Sequence, residues 1–242
     1  MASQLNTTSP CTRALASTGP GTLRERQHSR LRWVLVIAGA VFVLLRLADA
    51  SIVRLAHNPE YHRNGLHTVL WSLGRMETWI IFCAVALLCI NRFGDVLKRE
   101  VAYRLRGIVL GAFLSAGIAG LVAELIKRLI GRERPVVTYN IEQAGFEVVT
   151  RYKPFLHGLT DDSNLGFPSS HAAVIAGASL LIAAQIPQAR IWAVIVIAMV
   201  CYQRLASSAH FPTDILGGVL IGALSAAYIN SRIDALAPVG SD

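Results

Sequence analysis

Charge is scarce in this chain. Asp, Glu, Lys and Arg make up 16% of its 242 residues, against about 25% in soluble domains. An ordinary water-soluble domain is therefore a poor description. Cysteine is scarce as well, with four in the chain, which excludes a disulfide-stapled secreted scaffold. Acidic residues are outnumbered, 15 against 23 lysines and arginines. A basic excess points to nucleic acid or to a membrane. What the chain has in abundance is apolar sequence, 53% of its residues, which excludes disorder as its overall state and decides for the membrane.

The apolar residues come in six runs: about 33–53, one ending at Ile90 that starts between Thr68 and Met76, 107–126, 169–186, 191–205 and 213–229. A membrane span needs about 20 residues. The third run qualifies outright, and the last three span only if their polar ends extend the helix. The expectation is an all-α polytopic membrane protein with six transmembrane helices. Residues 1–32 are rich in Ser, Thr, Gly and Pro and read as a disordered cytoplasmic tail. Residues 33–230 form the membrane domain, and 231–242 a short cytoplasmic tail. The run at 33 is long and is read as a retained first helix, not a cleaved signal. Arg24, Arg26, Arg30 and Arg32 precede it and Arg54 follows it. Positive flanks stay inside, so both termini are expected in the cytoplasm and the 127–168 and 205–212 loops outside.

Three polar clusters fall at ends of these runs: Lys127 to Arg134-Pro135, then Phe167-Pro168-Ser169-Ser170-His171, then Arg204 to His210 and Asp214. The topology sets all three on the outward face, at the ends of the third to sixth helices. Lys127, Arg134 and Arg204 are cations that can share one anion, with Arg's planar fork suited to phosphate oxygens. Pro168-Ser169-Ser170 reads as a helix N-terminus with Pro in the first turn, where free N–H groups bind anions. His210 and Asp214 are four apart, so a helical turn lets the carboxylate orient the ring and leave one nitrogen free as nucleophile. His171 is a candidate general acid.

The spacing Lys-x6-Arg-Pro, Pro-Ser-x-His and Arg-x5-His-x3-Asp resembles the phosphatidic acid phosphatase type 2 superfamily. The resemblance implies a membrane phosphatase that hydrolyses a lipid phosphate or pyrophosphate, such as undecaprenyl pyrophosphate or phosphatidic acid. In it His210 forms a phosphohistidine, Asp214 orients it, and His171 protonates the leaving oxygen and later activates water. Lys127, Arg134, Arg204, Ser169 and Ser170 hold the phosphoryl oxygens. It implies no metal and no cofactor, a lipid phosphate substrate among membrane lipids, no nucleic acid, and a multi-pass protein of the bacterial inner membrane with its site outward. Rival readings are a phosphotransferase, a vanadium haloperoxidase, or a non-catalytic lipid-phosphate binder. Two positions depart from the family pattern: Ser170 replaces a glycine, and Gln203 stands where a serine precedes Arg204.

Other polar residues have local readings. Arg46 and Asp49 fit an i,i+3 ion pair. Glu124 either neutralises Lys127 or Arg128, or sets the charge of the site. Arg132 either touches phosphate or faces solvent and headgroups. His57, His62 and His67 read as loop residues. Cys83, Cys89 and Cys201 read as small packing residues, with no disulfide implied. Gly107 and Gly111 form a Gly-x-x-x-Gly that suits close helix packing. The long 136–166 segment carries aromatics that suit an interface or a headgroup pocket.

Overall fold

Apolar backbone in lipid must satisfy its own N–H and C=O groups, which winds it into helices. The computed structural model describes residues 20–58, 60–61, 65–94, 96, 98–140 and 145–236. Its α-helices are α1 Pro20–Ala56, α2 Gly65–Leu73, α3 Met76–Arg92, α4 Arg99–Ile130, α5 Ser170–Gln185, α6 Arg190–Ala206 and α7 Pro212–Leu236. The chain forms two units, Met1–Leu44 and Leu45–Asp242. The described part of the first is the N-terminal stretch of α1 alone.

Among the described residues, Arg99–Ile130, Pro187–Ala206 and Pro212–Ile233 are long and apolar enough to cross a membrane. The bent pair α2–α3 makes a fourth if it counts as one span, and α5 is a shorter apolar helix. The second expected run is thus two helices, meeting at 76°. The bend falls at Gly74, where a Cβ would lie 2.7 Å from the His171 side chain. Glycine lets the chain turn directly against that ring. Trp79 donates from Nε1 to the Leu73 carbonyl at 3.0 Å and satisfies the end of α2.

Residues 20–32, expected to be disordered, form the first turns of α1. The charged residues there are compatible with helix, and the apolar run gives them a helix to extend. Residues 1–19, with Cys11, lie outside the described residues, as do 237–242. Residues 231–236, expected as tail, continue α7.

At the centre stands α5, packed against α4, α6 and α7. It buries Ala172 to Ser179 on all sides, so its sequence shows no amphipathic stripe. Small residues let the backbones approach. A Cβ at Gly222 would meet the Ala173 carbonyl at 2.6 Å, and one at Gly177 the Ser115 carbonyl at 2.9 Å. Ser115 Oγ donates to the Gly177 carbonyl at 2.8 Å, and Ser225 Oγ to the Ser115 carbonyl at 2.8 Å. These bonds tie α4, α5 and α7 together where no hydrophobic force separates helix from lipid. Of the Gly-x-x-x-Gly pair only Gly111 packs, against Leu181 and Ile233; Gly107 faces open space.

The fold is not purely helical. Val136–Asn140 and Gly145–Val149 pair as antiparallel strands β1 and β2, in register from Val136 opposite Val149 to Asn140 opposite Gly145. Both are short runs of β-branched and aromatic residues, a signal that a search for long apolar spans passes over.

Candidate active site

The site grows from four helix ends. Lys127 sits in the last turn of α4, which Gly131 terminates at φ +70°, a conformation suited to glycine. The chain leaving Gly131 is clamped on both sides. Glu133 N–H donates to Arg151 O at 3.0 Å, Arg134 N–H to Asn164 O at 2.9 Å, and Gly166 N–H to Arg132 O at 2.6 Å. Arg132 and Arg134 are thereby held at fixed positions. Lys153 Nζ secures the outer loop through Asp161 Oδ2 at 2.6 Å and Ser163 O at 2.8 Å. This ammonium and the Ser163 hydroxyl hold the Asp161 carboxyl well below the usual carboxylate range.

Ser169 caps α5, accepting from Ala172 N–H at 3.4 Å. The helix therefore starts at Ser170, and Pro168 lies before the cap, not in the first turn as expected. Ser169 is fully buried and its N–H donates to the Asp214 carbonyl at 2.9 Å. This bond fastens the start of α5 to the start of α7. Arg204 sits in the last turn of α6. Ser208, at φ +50°, turns the chain so that Ala209 N–H donates to Arg204 O at 3.1 Å. His210 follows in this loop, before α7, so the His210–Asp214 segment is not one continuous helical turn.

All eight predicted residues come to one end of the helix cluster. Lys127, Arg134, Ser170, His171 and His210 line a cavity of about 400 Å³, whose other wall includes Gly117, Gly120, Leu121 and Val174. Arg134 also borders a second cavity of about 340 Å³ with Arg204, Trp71 and His67. Ser169 and Asp214 lie just behind. His210 Nδ1 stands 3.7 Å from Asp214 Oδ2. That distance is an electrostatic contact, longer than a hydrogen bond of about 3 Å. Burial, then Arg204, Arg134 and Lys127, push the His210 ring well below its ordinary value. The ring is therefore neutral near pH 7, as a nucleophile requires.

The site is rich in donors that lack acceptors. Among the described residues, Arg204 Nε and Gln203 Nε2 are buried without a hydrogen-bond partner, and the His171 ring nitrogen Nε2 is likewise buried and unbonded. Arg204 is 4% exposed, and its NH1 donates to Gln203 Oε1 at 3.5 Å. Among the described residues neither Arg134 nor Arg204 pairs with a carboxylate. An unpaired buried cation is costly, and an anion with several oxygens is the ligand that resolves it.

Several sequence readings change here. The expected Arg46–Asp49 pair forms at 3.7 Å, but buried Asp49 has a closer partner in Arg132 NH2 at 2.7 Å, and Arg46 also donates to Tyr152 Oη at 3.1 Å. Arg132 does not face solvent. It is 3% exposed and also donates to Asp214 Oδ1 at 2.7 Å. Glu124 accepts from Lys127 Nζ at 2.8 Å and from Ser170 Oγ, and Ser170 Oγ lies 2.7 Å from Lys127 Nζ. The serine that replaces glycine is thus engaged by a neighbouring pair. His67 belongs to α2, not a loop, and His57 Nδ1 lies 2.7 Å from Ser208 Oγ. His62 is outside the described residues. Gln203, left out by the sequence reading, is fully buried beside Arg204. An acid inside an apolar run was the signal that could have flagged Asp49.

Known proteins similar to this chain are phosphatases. A lipid A 1-phosphatase of Rhizobium johnstonii is 26% identical over 202 residues, covering 80% of this chain and 78% of that protein. A decaprenylphosphoryl-5-phosphoribose phosphatase of Mycobacterium tuberculosis is 30% identical over 129 residues, covering 51% of this chain and 59% of that one. A transmembrane PAP2-type phosphatidylglycerolphosphate phosphatase from Bacillus subtilis superposes with a TM-score of 0.54 at 17% identity, over 85% of this chain and 98% of that one. That likeness speaks for the fold. The family model of the PAP2 superfamily matches residues 108–236, which is more than half of the sequence and takes in every predicted site residue, so the chain belongs to the PAP2 superfamily.

Proposed function

We propose that this protein hydrolyses a lipid phosphate or lipid pyrophosphate through a phosphohistidine on His210. The observation that carries the reading is Arg204, a buried guanidinium with no carboxylate partner among the described residues, beside further buried polar atoms without hydrogen-bond partners. The 400 Å³ cavity is amphipathic, with cations on one wall and Gly117, Gly120, Leu121 and Val174 on another. That lining suits a phosphate carried on an apolar chain.

With Nδ1 of His210 turned toward Asp214, Nε2 is the attacking atom. It bonds to phosphorus as the bond from phosphorus to the lipid oxygen breaks. Protonated His171 gives its proton to that oxygen. The bound phosphoryl group's negative charge offsets the surrounding cations and lets His171 carry the proton. Water then attacks phosphorus, His171 takes a proton from it, the P–N bond breaks, and inorganic phosphate leaves. Lys127, Arg134 and Arg204 hold the phosphoryl oxygens and take the part that metal ions play in other phosphoryl-transfer sites. Asp214 stabilises the positive charge that develops on the ring.

The six-span topology, with the site on the outer face of a bacterial inner membrane, is part of the same reading and is supported by the arginines that precede the first apolar run. The relatives' names make lipid A 1-phosphate and prenyl-linked phosphoribose phosphates the first substrates to try. The test is phosphate release by detergent-purified protein in EDTA, across a panel of lipid phosphates, beside His210→Ala. Release that survives EDTA and disappears in the variant is expected. Near-normal turnover by folded His210→Ala overturns the mechanism.

A further inference from the structure

Asp214 does not stand alone behind His210. Its Oδ1 accepts from Arg132 NH1 at 2.7 Å, and its Oδ2 accepts from Phe211 N–H at 2.9 Å. Arg132 NH2 reaches Asp49 Oδ2 at 2.7 Å. Thr213 closes the circuit. Its Oγ1 accepts from Arg132 NH1 at 2.6 Å and donates to Asp49 Oδ2 at 2.6 Å, while its N–H donates to Asp49 Oδ1 at 3.0 Å. The Arg132 guanidinium also lies over the Phe211 ring, 4.2 Å from its centre. Asp49, Arg132, Thr213 and Asp214 are all at most 3% exposed.

We propose that Asp49, Arg132 and Thr213 are positioning residues for the reaction, which lock Asp214 and the His210 loop and keep the Arg132 charge shared between two carboxylates beside the nucleophile. The inference rests on the phosphohistidine reading of His210 but concerns residues outside its motifs. Two carboxylates share one guanidinium, so Asp214 keeps charge to offer the ring as it becomes cationic. Without Asp49, Arg132 would neutralise Asp214 outright. Without Arg132, two buried carboxylates would face each other, and one would take up a proton. Only a planar fork can hold both acids at once. The pinned element runs straight to the nucleophile, because Phe211, the residue after His210, is bound by both its N–H and its ring.

The groups facing this cluster are few. Arg46 stands 3.7 Å from Asp49 Oδ2. Around His210 lie Asp214, Arg204, Arg134, Lys127 and His171. The network therefore differs from a mere structural tie in what it does to the ring: loss of the Asp49 charge makes His210 harder to protonate.

The variants are Asp49→Asn, which removes the charge with little change in shape, and Thr213→Val, a milder break for use if Asn at 49 prevents folding. In Asp49→Asn kcat is expected to fall about tenfold or more, as outer-shell losses do, with inhibition by inorganic phosphate changed less than about twofold. The acid limb of the kcat profile moves to lower pH. Thr213→Val moves kcat in the same direction by less. A folded variant with unchanged kcat overturns the proposal. So does a kcat loss that only tracks a lowered melting temperature with an unmoved pH profile. The His210 titration, followed by histidine ¹⁵N NMR in micelles, reads the network without turnover. If the wild type hydrolyses no lipid, the phosphatase reading fails, while a His210 titration shifted down in Asp49→Asn still supports the network and an unshifted one overturns it.

Discussion

Glu124→Gln should tighten phosphate binding, although it removes the ion-pair partner of Lys127. Glu124 lines the cavity and accepts from Lys127 Nζ at 2.8 Å and from Ser170 Oγ. Its side chain is 46% exposed and that of Lys127 10%. The carboxylate thus does two things with opposite consequences: it anchors the lysine, and it repels the anion the lysine is to hold. Gln keeps an acceptor oxygen for the anchor and deletes the repulsion. Two unit charges about 6 Å apart interact by roughly 3 kcal/mol at an effective dielectric of about 20. Exposure and salt reduce this to about 0.5–1 kcal/mol, or roughly a two- to fivefold change in affinity. The assay is competitive inhibition by inorganic phosphate at two ionic strengths. The inhibition constant should fall two- to fivefold in Glu124→Gln at low salt, and the gain should shrink as salt rises. Glu124→Ala loses the anchor too and should show no such gain. Weaker phosphate inhibition in Glu124→Gln, matching Glu124→Ala, would refute the reasoning and make the carboxylate charge itself the thing that places Lys127.

Two more outcomes follow from the buried cations and the nucleophile. Arg204→Met should keep or raise the melting temperature in detergent, because it removes a buried charge that has no carboxylate partner among the described residues. It should also weaken phosphate inhibition by about 100-fold, the equivalent of two charge-assisted hydrogen bonds at about 1.5 kcal/mol each; a destabilised variant with intact phosphate affinity would contradict both halves. For pH, folding favours neutral His210, whose proton affinity is depressed by burial and by Arg204, Arg134 and Lys127. The unfolded ring takes up its proton near pH 6.5, so this contribution to stability is complete above about 6.5 and is lost as pH falls from there toward the folded value. The phosphate-free protein should lose melting temperature between about pH 7 and 5, and His210→Ala should lose less.

The part of the site that was legible in the sequence is the part fixed by chain order. Lys127, His171, Arg204 and Asp214 each sit at the end of a helix, and helices that run alternately across one layer bring alternate ends to one side. The charged pattern marks those ends because charge is excluded from the spans between them. The helical class was legible for the same reason, since apolar blocks admit little else. The bend at Gly74 was not. It depends on the His171 ring being pressed against that backbone, a contact between residues far apart in sequence. The hairpin of β1 and β2 was missed because five-residue strands leave no mark on a scale set by spans of about 20 residues.

Asp49 shows where such reading stops. Its neighbour Arg46 has the right charge at the right spacing, and a sequence offers no other partner. That pair forms at 3.7 Å, but the closer partner is set by geometry that only the fold supplies. Arg132 is held rigid by backbone bonds to the 151 and 164–166 segments and presents a fork to two acids. Arg46 is 40% exposed and has water and Tyr152 available to it. A buried carboxylate gains most from the partner that is already dehydrated and already in place, because the desolvation of that cation is met by two anions together. Local spacing therefore finds the near, half-exposed partner of a buried acid and misses the fixed one that the fold brings from far along the chain. In this chain that fixed partner connects α1 to Asp214, and on the proposed mechanism that makes an aspartate far from every motif a part of the machinery that the motifs describe.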